Sequence, residues 1–164
     1  MLQVYKRMQK MREKYVDTLA KLYEYATTVY SKKQYTQWYD TKKGGYTYAS
    51  LKERCDSLSK VLTQYGIGAG DKVAILSQSM PNWSVAFFSL APYGRIVIPI
   101  LPDSSTNEVT NIINHSETKA IFVSQKLAGK VSEEVKDKMV LIIDVDTLEI
   151  IKSDDEHFTC DGKT

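Results

Sequence analysis

The chain has 164 residues and a formal net charge of +2, with 43% hydrophobic and 26% charged residues. These values are typical of a single folded domain and argue against wholesale disorder, and so small a charge gives no reason to expect a nucleic-acid partner. No apolar run approaches the roughly 20 residues of a membrane span, and the two cysteines, Cys55 and Cys160, fit no metal-binding spacing. We therefore expect a protein of the reduced cytoplasm.

Residues 1–30 carry apolar side chains three or four positions apart, a spacing that predicts helix, with Asp17 or Thr18 able to cap a second helix inside the region. The apolar positions are Val4, Met8, Met11, Tyr15, Leu19, Leu22, Ala26 and Val29. The basic residues of the first half are Lys6, Arg7, Lys10, Arg12 and Lys14, and they interrupt any signal-peptide core. We interpret residues 1–17 as a basic helical extension that docks on the domain; the alternative is peripheral contact with a membrane surface through residues 1–16.

Gln34–Tyr39 has the composition of a strand, and Lys42–Gly45 is turn chemistry leading into Tyr46 and Thr47, which predicts a small β-hairpin. The apolar spacing of residues 47–65 then predicts a helix that Thr47 caps and Gly66 ends. The glycines of residues 66–70 follow this helix and open a strand. A phosphate-binding glycine loop has the opposite order, so we interpret these residues as a connector.

Residues 70–102 predict a βαβ unit. Val73–Leu76 is a short apolar run typical of a strand buried on both faces. A helix begins at Pro81, with Ser79 as its candidate cap and Trp83, Phe87 and Leu90 on one face. Tyr93-Gly94 ends it, and Ile96–Ile98 starts the next parallel strand.

The alternation of strands and helices continues to residue 143. Ser104 or Ser105 can cap a helix, Lys119–Val123 and Met139–Ile143 are further strands, and Gln125–Lys136 holds a short helix. The predicted fold class is α/β, a doubly wound, mostly parallel sheet of four strands with flanking helices, preceded by the N-terminal helix and the hairpin. We place the α/β subdomain at residues 18–151 and an acidic tail at residues 152–164.

No group of residues in the sequence predicts an active site. Ser77 and Ser79 follow the first strand of the sheet, where open α/β sheets bind ligands, so they are weak candidates. His115 is expected near the end of a helix, on its polar side. The tail residues Asp154, Asp155, Glu156 and His157 could hold a cation only loosely. We therefore expect no catalytic, cofactor-binding or metal-binding residue in this chain.

The chain nevertheless resembles the start of an adenylate-forming (AMP-binding) enzyme over about residues 18–151. The matching motifs are Thr47-Tyr48, the run Gly70-Asp71-Lys72-Val73-Ala74-Ile75, Pro81-Asn82-Trp83, Val97-Ile98-Pro99, and Ser105 with Glu108, Ile112 and Ser116. The segments LSQSMPNW and PILPDSST are most similar to long-chain fatty-acid–CoA ligases. Pro92 departs from the family pattern, because it stands where relatives continue the helix.

The resemblance implies an N-terminal fragment, part of a larger N-terminal domain, because the family's phosphate loop, ribose-binding Asp and C-terminal Lys do not occur before Thr164. The parent would use ATP, Mg²⁺ and CoA to activate a fatty acid to an acyl-adenylate and transfer it to CoA, while the fragment itself is inactive. Its partners would be the remainder of the parent enzyme and further copies bound through exposed apolar surface. Two alternatives stay open: a parent that adenylates another carboxylic acid, or a stand-alone α/β interaction module.

Overall fold

The computed structural model describes Gln3, Lys6 and residues 17–38 and 44–153. In chain order its elements are α1 (Leu19–Val29), β1 (Gln34–Thr36), β2 (Tyr46–Thr47), α2 (Tyr48–Gln64), β3 (Lys72–Leu76), α3 (Pro81–Leu90), β4 (Ile96–Ile100), α4 (Thr106–Ser116), β5 (Ala120–Val123), α5 (Glu133–Lys138), β6 (Leu141–Asp144) and β7 (Ile150–Ser153), with 3-10 helices at Ala91–Tyr93 and Gln125–Lys130. The rest of the predicted basic extension, the Lys42-Lys43 part of the hairpin turn and the tail from Asp154 lie outside the described residues.

The main sheet has the strand order β4-β3-β5-β6-β7, in which the first four strands are parallel and β7 is antiparallel to β6. The predicted doubly wound, mostly parallel sheet is therefore confirmed. The predicted strand count of four is wrong, because Ile150–Ser153 forms a fifth strand with Ser153 opposite Leu141. This strand crosses the predicted division between residues 151 and 152.

Alternate residues of each central strand feed two separate cores, as expected for strands covered on both faces. Val73 and Ile75 of β3 point into the core beneath α1, α2 and α3, together with Phe122 of β5. Ala74 and Leu76 point into the core beneath α4 and α5. The sheet is thus the middle layer between two layers of helix.

The local signals at the starts of three helices are confirmed. The side chains of Thr18, Thr47 and Ser105 accept hydrogen bonds from backbone N–H groups in the first turns of α1, α2 and α4. Thr47 and Ser50 form a reciprocal capping box, as do Ser105 and Glu108. The hairpin of β1 and β2 is also present and antiparallel.

The start of α3 corrects one prediction. Met80, not Ser79, is the N-cap residue, and it makes no side-chain hydrogen bond to the helix. The reason is steric: the residue before a proline is driven into extended backbone, so the residue preceding Pro81 takes the cap position itself. Trp83 and Phe87 stack on each other with their rings 5.4 Å apart but are only half-buried.

The departure at Pro92 ends the α-helical geometry of α3 at Leu90, and a 3-10 helix follows before Gly94 adopts a φ of 80°. The predicted helix over Gln125–Lys136 is likewise divided. Its first part is a 3-10 helix, and Ser132 then caps the separate helix α5. The connector over residues 66–70 joins α2 to β3 as predicted, with Asp71 accepting a hydrogen bond of 2.8 Å from the Gly68 N–H.

Candidate functional site

The carboxyl edge of the parallel strands is the usual ligand-binding region of a doubly wound sheet, at the point where the strand order reverses. Here β4 and β5 lie on opposite sides of β3, so the reversal falls between β3 and β5. Gln78 follows β3 and Ser124 follows β5. The Ser124 hydroxyl donates to Gln78 Oε1 at 3.2 Å, so the two loops are joined directly across this position.

The neighbouring part of this edge is held by two carboxylates. The Gln125 side-chain amide donates to Asp144 Oδ2 at 2.6 Å, and the Gln125 backbone N–H donates to Asp146 Oδ2 at 2.7 Å. The Asp146 N–H donates to Asp144 Oδ1 at 2.7 Å. Both carboxylates therefore bind the loop after β5.

Asn82 fastens helix α3 to the same edge. Its amide nitrogen donates to the carbonyl oxygens of Val145 and Asp146 at 2.7 and 2.9 Å. Its amide oxygen accepts a hydrogen bond from the Tyr46 hydroxyl of the hairpin. One buried amide thus connects the hairpin, α3 and the turn after β6.

The candidate residues of the sequence do not converge. Ser77 is buried, and its hydroxyl donates to the backbone oxygen of Gln78 at 2.9 Å. Ser79 is exposed in the loop, and His115 is exposed in the last turn of α4, on the other side of the sheet from α3. Asp154, Asp155, Glu156 and His157 lie outside the described residues. The structure therefore assigns no shared site to these side chains.

Arg95 is a buried charged residue that sequence reasoning missed. It is 5% exposed, and its guanidinium makes five hydrogen bonds to neutral acceptors. The acceptors are Ile67 O at 2.9 Å, Ser59 Oγ at 2.7 Å, Ser89 O at 3.3 Å, Ser59 O at 3.0 Å and Thr63 Oγ1 at 2.8 Å. Burial lowers the pKa of Arg95 from its usual value, although Asp71 and Tyr93 act in the opposite direction. The sequence offered one signal of this buried charge: Arg95 is the single charged residue in the run Tyr-Gly-Arg-Ile-Val-Ile.

A second polar group lies between α2 and the 3-10 helix after α3. The Tyr93 hydroxyl donates to Asp56 Oδ1, and Lys52 Nζ lies 2.7 Å from Asp56 Oδ2. Burial raises the pKa of Asp56, but the hydrogen bonds from Lys52 and Tyr93 outweigh it, so the net pKa is lowered. Nearby Cys55 is fully buried, and this burial raises the pKa of its thiol to about 12. Neither group is arranged as a nucleophile beside a base.

Two cavities accompany these groups. An open groove of about 410 Å³ lies against α2 and is lined by Glu53, Arg54, Ser57, Leu58, Val61 and Leu148. A more enclosed cavity of about 260 Å³ lies between α1, the hairpin, α2 and α3. It is lined by Leu19, Leu22, Tyr23, Ala26, Thr27, Tyr35, Tyr48, Leu51 and Phe88.

Comparison with known proteins identifies the family. The family of AMP-binding enzymes matches residues 24–163, which is most of the chain. The chain belongs to the AMP-binding enzyme family. Among curated proteins of this kind, it is 27% identical over 104 residues to 4-hydroxybutyrate–CoA ligase 2 of Metallosphaera sedula, covering 62% of this chain and 19% of that protein. It is also 27% identical over 95 residues to long chain acyl-CoA synthetase 2 of Arabidopsis thaliana, covering 56% and 14%.

Solved structures of AMP-binding enzymes carry the same fold. The fatty acyl CoA synthetase of Mycobacterium tuberculosis matches with a TM-score of 0.69 and 23% identity, over 80% of this chain and 27% of that one. Coronafacic acid ligase from Pectobacterium brasiliense matches with a TM-score of 0.71 and 17% identity, over 79% and 26%. The chain therefore spans less than a third of each relative.

Two features of the described ranges concern metal ions and phosphate groups. Within residues 17–38 and 44–153, no group of three or more His, Cys, Asp or Glu side chains could hold a metal ion. The loop after β3 reaches α3 through Met80 and Pro81, so this helix start lacks the glycines that would let a phosphate approach the backbone. The same part of the chain has no helix both long and apolar enough to cross a bilayer. We therefore derive no chemical step from these residues.

Proposed function

We propose that this chain is the N-terminal α/β part of an acyl-CoA synthetase whose whole protein activates a long-chain fatty acid with ATP and Mg²⁺ and transfers the acyl group to CoA. The observation that carries the proposal is the family match over residues 24–163. The similarity of LSQSMPNW and PILPDSST to long-chain ligases supports the choice of acid, as does the Arabidopsis relative.

The part that this chain plays in the proposed enzyme is structural. The Gln78–Ser124 and Gln125–Asp144 hydrogen bonds close the carboxyl edge, and Asn82 ties α3 to it. These contacts form a rigid base on which catalytic segments elsewhere in the protein can be positioned. The proposed organisation is a basic extension at residues 1–17, an α/β subdomain from residue 18 to the end of β7 at Ser153, and a tail after it, in the cytoplasm.

The test is to express the coding sequence as it continues past Thr164 and to measure acid-dependent exchange of pyrophosphate into ATP. Fatty acids of increasing chain length are compared with 4-hydroxybutyrate and 4-coumarate, the acids named in two relatives. We expect the longest fatty acids to give the highest kcat/KM. A preference for either short or aromatic acid would refute the long-chain assignment while leaving the adenylation reaction in place. A stop codon directly after Thr164 would refute the larger enzyme and favour an interaction module.

The 164-residue chain alone serves as the matched control. We expect calorimetry to detect no ATP binding to it, because its described residues provide neither a phosphate loop nor a metal site. Micromolar ATP binding by this chain would contradict the structural role proposed for it.

A further inference from the structure

Strand β4 lies at an open edge of the main sheet. Among residues 17–38 and 44–153, the strand that pairs with β4 is β3, and the outer side of β4 has no strand beside it. Ile96 at the start of β4 is 46% exposed, Leu101 just after its end is 74% exposed, and Pro99 between them is exposed as well. An apolar strand at a sheet edge is a template for pairing with a strand of another molecule.

The register of β4 fixes which of its backbone groups face outward. The Ile96 N–H donates to Asp71 O at 2.8 Å, on the β3 side. The backbone N–H and C=O groups of successive residues in a strand alternate in direction, so every second residue after Ile96 also faces β3. Val97 and Pro99, which lie between those residues, therefore direct their backbone groups to the outer edge.

Proline has no N–H, so the outer edge of β4 lacks the donor that any other residue at position 99 would supply. Proline within a sheet is confined to such edges, where its nitrogen faces solvent. Leu101 does not replace the donor within the strand, because it lies beyond the end of β4 and its carbonyl oxygen accepts the Ser104 N–H at 3.1 Å in a turn. The outer edge of β4 can thus accept at Val97 and Pro99 but donate from Val97 alone.

The same edge of a second copy is the natural partner for such a strand, because a two-fold axis brings two identical edges together antiparallel. If Val97 lies opposite Pro99 of the second copy, the proline removes half of the hydrogen bonds that this pair of positions would otherwise form. If Val97 lies opposite Val97, Pro99 falls opposite Arg95, whose N–H already donates to Leu90 O at 3.2 Å. Both registers are therefore short of hydrogen bonds.

We propose that β4 of a second copy is the partner that this edge would take, and that the missing N–H of Pro99 prevents the pairing. The exposed side chains of Ile96 and Leu101 then remain in water without drawing two copies together. The device lies in the backbone, so it depends on proline at position 99 and not on the apolar character of the strand. The inference rests on the fold and does not depend on the proposed function.

The experiment measures the mass of the 164-residue chain by sedimentation velocity over a range of protein concentrations. Pro99→Thr restores the N–H and supplies a polar side chain, so association of this variant cannot come from added apolar surface. We expect the starting chain to be monomeric and Pro99→Thr to form dimers, with a dissociation constant at least about tenfold lower. Pro102→Thr, in the loop after β4, is the matched control and should leave the chain monomeric.

Hydrogen exchange of the β4 peptide, followed by mass spectrometry, shows where the copies meet. In Pro99→Thr we expect exchange in this peptide to slow as the dimer forms. A monomeric Pro99→Thr variant would overturn the proposal, and so would dimers whose β4 peptide exchanges as fast as in the monomer. A starting chain that already dimerises with β4 protected would overturn it as well. Far-UV circular dichroism checks that each variant is folded, and Pro99→Ala restores the same N–H should Pro99→Thr not fold.

Discussion

Replacing Arg95 with methionine tests whether the buried guanidinium holds the helical layer on β4. Arg95→Met keeps an unbranched apolar stem of similar length and removes all five hydrogen bonds. The lost acceptors include the backbone oxygens of Ile67 and Ser89, at the start of the glycine connector and in the last turn of α3. Two opposing effects decide the change in the free energy of unfolding. The lost hydrogen bonds lower it, whereas removal of the buried charge also removes the cost of desolvating that charge.

The loss of hydrogen bonds is expected to be the larger effect. A buried polar group left without a partner costs about 1–3 kcal/mol, and removing one partner from a buried charged network costs about 3–5 kcal/mol. Arg95 bonds only to neutral groups, so methionine relieves desolvation but leaves at least two carbonyl oxygens in an apolar environment. We expect the free energy of unfolding to fall by about 3–4 kcal/mol, which for a domain of this size lowers Tm by about 10 °C.

The assay is urea unfolding of the 164-residue chain followed by circular dichroism and tryptophan fluorescence. Arg54→Met is the matched control: Arg54 lies on the exposed side of α2, and its replacement should change the free energy of unfolding by less than about 0.5 kcal/mol. Arg95→Lys keeps the charge with a single donor group and should fall between the two. An Arg95→Met variant within about 1 kcal/mol of the starting chain would refute the role given to these hydrogen bonds.

Three other changes test particular contacts. Burial raises the pKa of Asp71, but its bonds to Lys119 and the Gly68 N–H outweigh this effect and lower the pKa overall, so the Asp71→Asn variant should be less stable at pH 7. Urea titrations should show this loss of stability vanishing as the pH falls below about 4, where the carboxylate becomes protonated. A loss of stability that does not change with pH would contradict the role given to the Asp71 carboxylate. Glu117 ends α4 with a φ of 54°, a left-handed conformation that glycine adopts with less strain. Because the ion pair of Glu117 with Lys72 is exposed and contributes little, Glu117→Gly should raise the free energy of unfolding by about 0.5–1 kcal/mol in the same assay. A loss of stability would show that this ion pair matters more than backbone strain. Cys55 is fully buried, and burial raises the pKa of its thiol to about 12. The thiol should therefore resist alkylation by iodoacetamide at neutral pH until urea unfolds the chain, which mass spectrometry of the Cys55 peptide would measure. Rapid labelling of the folded chain would contradict the packing of α2.

The sequence was sufficient for those parts of the fold that are specified by short segments. The caps at Thr18, Thr47 and Ser105 each depend on residues within three positions, and the apolar runs of β3, β5 and β6 are buried on both faces. The cap of α3 was predictable from the rule for residues before proline, which favours Met80 over Ser79. The buried face of α3 could not be predicted, because apolar residues occur on all sides of this helix and show no clear periodicity.

The remaining misses depend on partners distant in the chain. Ile150 and Ile151 are both exposed, so β7 shows no buried pattern and becomes a strand only through its pairing with β6. Asn82 bonds to Val145, 63 residues away, and Arg95 bonds to Ser59, 36 residues away. A polar residue in an apolar stretch indicates that a buried acceptor exists, but its identity requires the fold.

The same kind of long-range bond occupies polar groups along the carboxyl edge of the described residues. A binding site at a strand-order reversal needs donors and acceptors left free to meet a ligand. Here the Ser124 hydroxyl donates to Gln78, the Gln125 backbone N–H donates to Asp146, and the Gln125 side-chain amide donates to Asp144. Satisfying these groups within the chain stabilises the loops against each other. The family's motifs in this chain, from Gly70 to Pro99, build β3, α3 and β4, and Arg95 and Asn82 fix the helices that pack on these strands.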